Sequence, residues 1–317
     1  MTDVMHETPG QMPVDPPDSP PRGEPRPPEA PTRVLGQGSL PSRVDITLSL
    51  MVGPVAVFAS VIGAWYLLSW RYLAPILGRE GGEAAAERLR NTLLPYPHDI
   101  VGESFLNTQN LTELLSGLWL DIRLSFTGLA IAAIIGVIGA VLMSQAKWIE
   151  RSFYPYAVFI QTVPILALVP LIGLFFGYAF AARLLVVVII SLFPIITNTL
   201  FGLRSADRGL HDIFTLHDAS RWTRLIELQL PASIPAMMTG FQISAGLSVI
   251  GAIVGDFFFG RGERGLGNLI LLYVNRLQPE QLWGALALST GLGLFVFVVV
   301  GWLRTRLTAS WYEGSET

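Results

Sequence analysis

An all-α membrane protein of six transmembrane helices is what this sequence predicts, and three observations predict it. Of 317 residues, 51% are hydrophobic and only 14% charged, against about 25% charged in soluble domains. Apolar windows of spanning length recur near 47–70, 120–143, 154–176, 181–202, 235–259 and 281–303, and a hydrocarbon core about 30 Å thick needs roughly 20 helical residues. Between the fourth and fifth windows, one polar stretch closed by prolines, residues 203–234, interrupts the pattern.

The chain divides into three parts. Residues 1–43 form an arm with paired prolines at Pro16-Pro17, Pro20-Pro21 and Pro27-Pro28 among Asp, Glu, Arg and Gly. Such a composition buries too little apolar surface to offset chain entropy, so a disordered arm is expected, and it lacks the apolar core of a signal peptide. Residues 44–310 hold the six spans, and 311–317 are a tail. The first window is followed by an excursion, residues 71–118, expected to carry a short amphipathic helix near 82–94 before Leu94-Pro95-Tyr96-Pro97. The excursion ends where the second window opens on Asp121 and Arg123, charges expected at the headgroup level. Six spans place both termini on one side, and the distribution of Lys and Arg favours the cytoplasmic side for them.

Within the windows, small residues recur every fourth position: Gly128, Ala132, Gly136 and Ala140 in the second, Gly240, Ser244, Ser248 and Ala252 in the fifth. Rows of this kind let helix backbones approach closely, so these helices are expected to pack on protein rather than lipid alone. The third window contains Pro164 and Pro170 and the fourth Pro194; kinks there either line a cavity or improve packing. Polar groups able to line a path through the membrane are Gln161, Thr162, Asn198, Gln242 and Ser244. Asp256, near the end of the fifth window, either joins them or caps its helix.

Several chemistries are excluded. With no cysteine, disulfides and thiolate sites are absent. Lys147 is the single lysine and does not follow a glycine, so a phosphate-binding loop is absent and any nucleotide chemistry belongs to another chain. Gly260-Arg261-Gly262-Glu263-Arg264-Gly265 fits G-x-G-x-x-G but follows a membrane window rather than a strand, and reads as a turn. His6, His98, His211 and His217 are scattered, so no metal, cofactor or catalytic residue is expected, and no basic tract points to nucleic acid.

The polar stretch carries its own pattern. Leu210, Ile213, Phe214 and Leu216 form one apolar stripe, and Trp222, Leu225, Ile226 and Leu230 a second, both at helical spacing. Asp218 or Ser220 is placed to cap the second helix, and Pro231 and Pro235 to mark its exit into the fifth span. On the residues alone, two short helices at an angle read either as a knob that takes a push from outside the membrane or as an interfacial loop lying on headgroups.

A resemblance distinguishes the two. The stretch resembles the cytoplasmic coupling loop of binding-protein-dependent ABC importer permeases, which runs Glu-Ala-Ala, then a glycine, then Leu-Pro. Asp212-Ile213-Phe214 stands at the Glu-Ala-Ala position, Asp218 at the glycine, Ala219-Ser220-Arg221-Trp222 is typical, and Leu230-Pro231 closes the motif. The likeness extends over most of 47–310, through Leu94-Pro95 with Pro97, Thr162-Val163-Pro164 to Pro170, and Gly265-Leu266-Gly267. It implies a six-span permease whose loop, through Asp212, Phe214, His217, Asp218, Ala219, Ser220, Arg221, Trp222, Leu230 and Pro231, couples to a cytoplasmic ATPase dimer. It further implies a second permease copy, identical in the branch this chain resembles, an extracytoplasmic substrate-binding protein, and a place in the cell membrane of a prokaryote. That branch serves nitrate, sulfonates, taurine, and vitamins or precursors such as riboflavin and hydroxymethylpyrimidine. Ile243 to Asp256 leans toward the vitamin members. Two departures stand out: Asp212 is one methylene shorter than Glu, and Asp218 replaces the glycine, aspartate being among the few residues that tolerate left-handed backbone. The competing class, an ion-driven secondary transporter, calls for acids at mid-membrane and an inverted repeat.

Overall fold

The computed structural model describes residues 43–72, 94–259 and 262–312. The Pro-rich arm and the helix expected near 82–94 fall outside them. Two units divide the chain, Met1–Val55 and Ala56–Thr317; all packing described below lies within the second.

The elements are helical throughout the described residues. Helix α1 (Arg43–Leu67) widens into a π turn, Leu68–Tyr72; a short α2 (Pro97–Ile100) runs on as a second π turn to Leu106. Then follow α3 (Thr108–Gln145), α4 (Lys147–Thr162), α5 (Ile165–Phe176), α6 (Phe180–Leu203), α7 (Arg208–Leu216), α8 (Arg221–Arg224), a π turn over Leu225–Gln229, α9 (Leu230–Phe258), α10 (Leu266–Arg276) and α11 (Pro279–Tyr312). Five helical rods are long and apolar enough to cross a membrane, and α4 with α5 makes a sixth if that bent pair is taken as one span.

Three differences from the sequence expectation have identifiable causes. The second span begins at Thr108, well before residue 120, because Asn107 caps it: its Oδ1 accepts the Gln109 N–H at 3.1 Å. The end of the expected excursion is therefore helix, and Asp121 lies within that helix, fully buried by protein. The third window, 154–176, is two helices meeting at 100°. Pro164 has no N–H to continue the ladder, and Val163 before it takes the extended conformation (φ −71°, ψ 127°) that proline imposes on its predecessor. Pro231 and Pro235 do not separate the loop from the fifth span. The helix runs unbroken from Arg221 to Phe258, and the π turn before Pro231, in which the Leu230 N–H reaches back to Leu225 O, gives the ring room.

The core is built around α6, which packs on α9 and on α3, with α11 against the far face of α9. Both rows of small residues lie buried. Gly128 faces Val187 and Gly136 faces Ile195 on one side of α6, while Gly240 lies against Asn198 and Pro194 on the other. Ser244 donates to Ser191 O at 2.7 Å across the α9–α6 contact, a polar tie in an apolar setting. Trp65 of α1 donates to Pro95 O at 3.1 Å and meets Trp283 of α11 edge-on at 4.5 Å.

A methyl group separates close approach from open space here. A Cβ on Gly240 would stand 2.8 Å from Asn198 Cβ and Pro194 O, whereas one on Gly246 meets nothing within 4 Å. Overpacking costs about 1–3 kcal/mol, so Gly240→Ala is expected to lower the melting temperature in detergent while Gly246→Ala leaves it unchanged.

Candidate functional site

The loop between α6 and α9 folds as an elbow whose parts are capped locally. Asp207 opens α7, its Oδ1 accepting the Gly209 N–H at 2.6 Å. At the other end the Ala219 N–H bonds Phe214 O at 3.0 Å and the Asp218 N–H bonds Thr215 O at 3.1 Å, the paired bonds of a Schellman termination. Asp218 occupies its left-handed position with φ 47°, the place where glycine is usual. His217 adds an Nδ1–H bond to Ile213 O at 2.9 Å. Ser220 then caps α8, its Oγ accepting the Thr223 N–H at 3.1 Å. Arg224 staples the two helices, Nη2 donating to Thr215 Oγ1 at 3.0 Å.

The elbow is rooted in the core on one side and bare on the other. Leu225 is buried with Ala140, Met143, Leu200 and Leu203, and Leu230 packs at the edge of that cluster. Gly202 lies directly on the backbone of Ser233. Arg204 forms a two-pronged ion pair with Glu150 of α4. Outward, Leu216 is 82% and Trp222 69% exposed, with Leu210, Ile213 and Ile226 about half exposed. Of the residues expected to couple, Asp212, His217, Asp218, Ser220, Arg221 and Trp222 are exposed, Phe214 and Ala219 half-buried, and Leu230 and Pro231 lie half-buried in the helix that enters the membrane.

The residues expected to line a path do not form one set. Gln161 and Thr162 border a cleft of ≈ 360 Å³ at the α4–α5 break, closed by Pro164, Phe193, Leu247 and Ile250. Asn198 instead donates to Pro194 O within its own helix at 2.8 Å. Gln242 accepts from Arg304 at 3.1 Å. Ser244 is buried between helices, and Asp256 is fully buried and lines no cleft described here.

Asp256 belongs to a cluster at the end of the bundle opposite the elbow. Arg183, in the first turn of α6, meets Asp256 Oδ1 at 2.8 Å and donates to Glu263 O and Phe259 O, each at 2.8 Å. Asp256 Oδ2 accepts the Asn268 N–H at 2.6 Å, and Asp121 Oδ2 accepts the Leu266 N–H at 3.0 Å. The two carboxylates thus cap α10, whose own N-cap residue is Gly265. Asp256 therefore caps the helix that follows rather than its own. Sequence reasoning passed over Arg183, although it is the one charged residue in the 181–202 window, a position that is functional by default. Nearby, burial and then the Glu113 carboxylate, which accepts its proton at 3.1 Å, hold the Tyr273 phenol above its ordinary pKa.

The described residues thus build a helical body of membrane-spanning length with a bare, core-rooted elbow at one end. Residues 126–309 match the family described as binding-protein-dependent transport system inner membrane component, and the chain belongs to that family. Similar proteins include the formylaminopyrimidine transport permease ThiX of Halalkalibacterium halodurans, 32% identical over 68% of this chain and 84% of that protein. The riboflavin transport system permease RibX of Chloroflexus aurantiacus is 32% identical over 53% of this chain and 62% of that protein. The putative aliphatic sulfonates transport permease SsuC of Bacillus subtilis is 26% identical over 66% and 72% respectively. The chain is thus a multi-pass inner membrane protein and the permease subunit of an ABC importer, a family that works with ATPase subunits and substrate-binding proteins.

The turn at Asp218 yields a direct test. A β-branched residue at positive φ is strained by about 1–2 kcal/mol, whereas glycine is relaxed there. Asp218→Val is therefore expected to speed hydrogen exchange at the Ala219 amide severalfold, and Asp218→Gly to leave it as slow or slower.

Proposed function

We propose that the elbow is the docking point of a cytoplasmic ATPase dimer, that two identical copies of this chain form the membrane pore, and that both termini face the cytoplasm. The observation that carries this reading is the combination of a bare apolar face (Leu216, Trp222, Ile226) with a root buried at Leu225. An interfacial loop would have no need of a stapled elbow, whereas a lever does. On this reading ATP is hydrolysed on the partner chains, and closure of the ATPases pushes the elbow and tilts α6 and α9. The membrane path then opens alternately to either side near Gln161 and Thr162. Solute arrives from an external binding protein.

The substrate class favoured is a heteroaromatic vitamin or vitamin precursor, such as riboflavin or hydroxymethylpyrimidine. Its support is the somewhat higher identity to the pyrimidine and riboflavin permeases, 32% in each case, than to two sulfonate permeases at 26% and 29%. Sulfonate or nitrate is the second reading. The ligand retained by the substrate-binding protein that associates with this chain, identified by mass spectrometry after purification, decides between them. A sulfonate there would overturn the vitamin reading.

Docking is tested separately. An exposed tryptophan at the centre of an interface contributes about 2 kcal/mol or more, roughly a thirtyfold change in affinity. Trp222→Ala and Asp212→Arg are expected to weaken ATPase association roughly thirtyfold or more and to cut uptake accordingly while leaving insertion and melting temperature unchanged, because both side chains are exposed. Uptake at the wild-type rate by either variant, or uphill uptake by the permease alone, would refute the assignment.

A further inference from the structure

Helices α6 and α9 carry the elbow at one end and share a buried ionic cluster at the other. We propose that Asp121, Arg183 and Asp256 are positioning residues that clamp α10 to both helices, so that a push on the elbow moves α6, α9 and α10 as one body. The inference rests on the docking reading above.

The geometry is specific. Arg183 sits at the start of α6 and Asp256 at the end of α9, so their contact joins the two helices at the end remote from the elbow. The same guanidinium holds the connection to α10 through Phe259 O and Glu263 O. The first turn of α10 is then held twice, Leu266 N–H by Asp121 and Asn268 N–H by Asp256. Local sequence offers a simpler solution, a Ser or Asp at position 265 capping its own helix. The chain instead places Gly265 there, where a Cβ would stand 2.6 Å from Asp121 Oδ1 and 2.8 Å from Asp256 Oδ2. Gly267, pressed on the Ile253 carbonyl, brings α10 equally close to α9. The caps of α10 are thus imported from α3 and α9, which ties its position to theirs.

Stability alone is a poor reason for such a cluster. A buried ion pair is often no more stabilising than apolar residues of the same volume, but its bonds are directional and fail together. All three side chains are buried, so the cluster does not contact solute in this conformation. What it governs is where α10 points. The connection into that helix carries the exposed Glu263 and Arg264 and lies at the end of the bundle remote from the elbow, the face to which solute is delivered if the elbow faces inward.

The absence of cysteine allows a clean measurement. Leu271→Cys, on the exposed side of α10, is labelled with an environment-sensitive fluorophore in the complete complex with a cysteine-free ATPase partner and the binding protein. Trapping with ATP and vanadate is expected to shift the emission. In Asp121→Asn/Arg183→Met/Asp256→Asn, which leaves no unpaired charge, hydrolysis continues. Coupling between distant sites is typically worth about 5–150-fold, so the shift is expected to fall at least fivefold. Should that variant fail to assemble, Gly265→Ala, which keeps every charge, carries the same expectation. A full-sized shift in either variant, or none with the native cluster in a hydrolysing complex, overturns the clamp. A wild-type chain that neither binds nor stimulates the ATPase overturns the docking reading instead.

Discussion

Close approach of α6 to its neighbours is the constraint on which the rest of the structure depends. In a bilayer the hydrophobic effect gives helices little reason to prefer each other to lipid, so association rests on van der Waals contact and buried hydrogen bonds. Gly128 and Gly136 bring α3 onto Val187 and Ile195, and Gly240 brings α9 onto Asn198. Because those contacts involve backbone, β-carbons and the branch carbons of Val187 and Ile195 rather than flexible side-chain ends, the three helices have little freedom to slide. A central trio fixed in this way allows a short elbow at one end and a buried ionic cluster at the other to share a frame.

Proline then decides where the frame yields. Pro194 remains inside α6, where Asn198 and Thr197 turn their polar groups back onto nearby carbonyls at 2.8 and 3.0 Å. Pro231 is absorbed by a π turn. At Pro164 the helix is not continued: Val163 goes extended and the chain turns by 100°. Irregular backbone at membrane depth is tolerated where it is buried in protein or lines a cavity, and this break borders the ≈ 360 Å³ cleft with Gln161 and Thr162 on its rim. The same residue type thus sits within a continuous helix, after a widened turn or at a break, depending on the backbone around it.

That dependence also explains what was readable in the sequence. The helical class and the apolar windows follow from composition, which is local. The elbow was readable because its stripes and caps are local too: Ser220 caps as expected, and Asp218 adopts the positive φ that its type permits. Boundaries set by a single cap were not, since nothing in the apolar pattern announces Asn107. Least readable was the ionic cluster. Asp121, Arg183 and Asp256 sit on three different helices, and no spacing rule connects them. Taken alone, Asp256 reads as a path or capping residue and Asp121 as an interfacial one, and neither reading points to the other. The one available signal was the solitary Arg183 in an apolar window, which demands a buried partner.

The unbroken course of α8 into α9 gives the elbow its reach. From Arg221 to Phe258 the helix has 38 residues, about 57 Å at 1.5 Å per residue, nearly twice a hydrocarbon core of about 30 Å. Trp222 and Asp256 therefore lie near opposite ends of a single rod. The π turn at Leu225–Gln229 occurs where Leu225 and Leu228 are buried, so packing stiffens the point at which hydrogen bonding is least regular. A chain broken at Pro231 would hinge there. The continuous rod, held beside α6 by glycine contacts and at its far end by Arg183, instead runs as one piece over a length greater than the thickness of the hydrocarbon core.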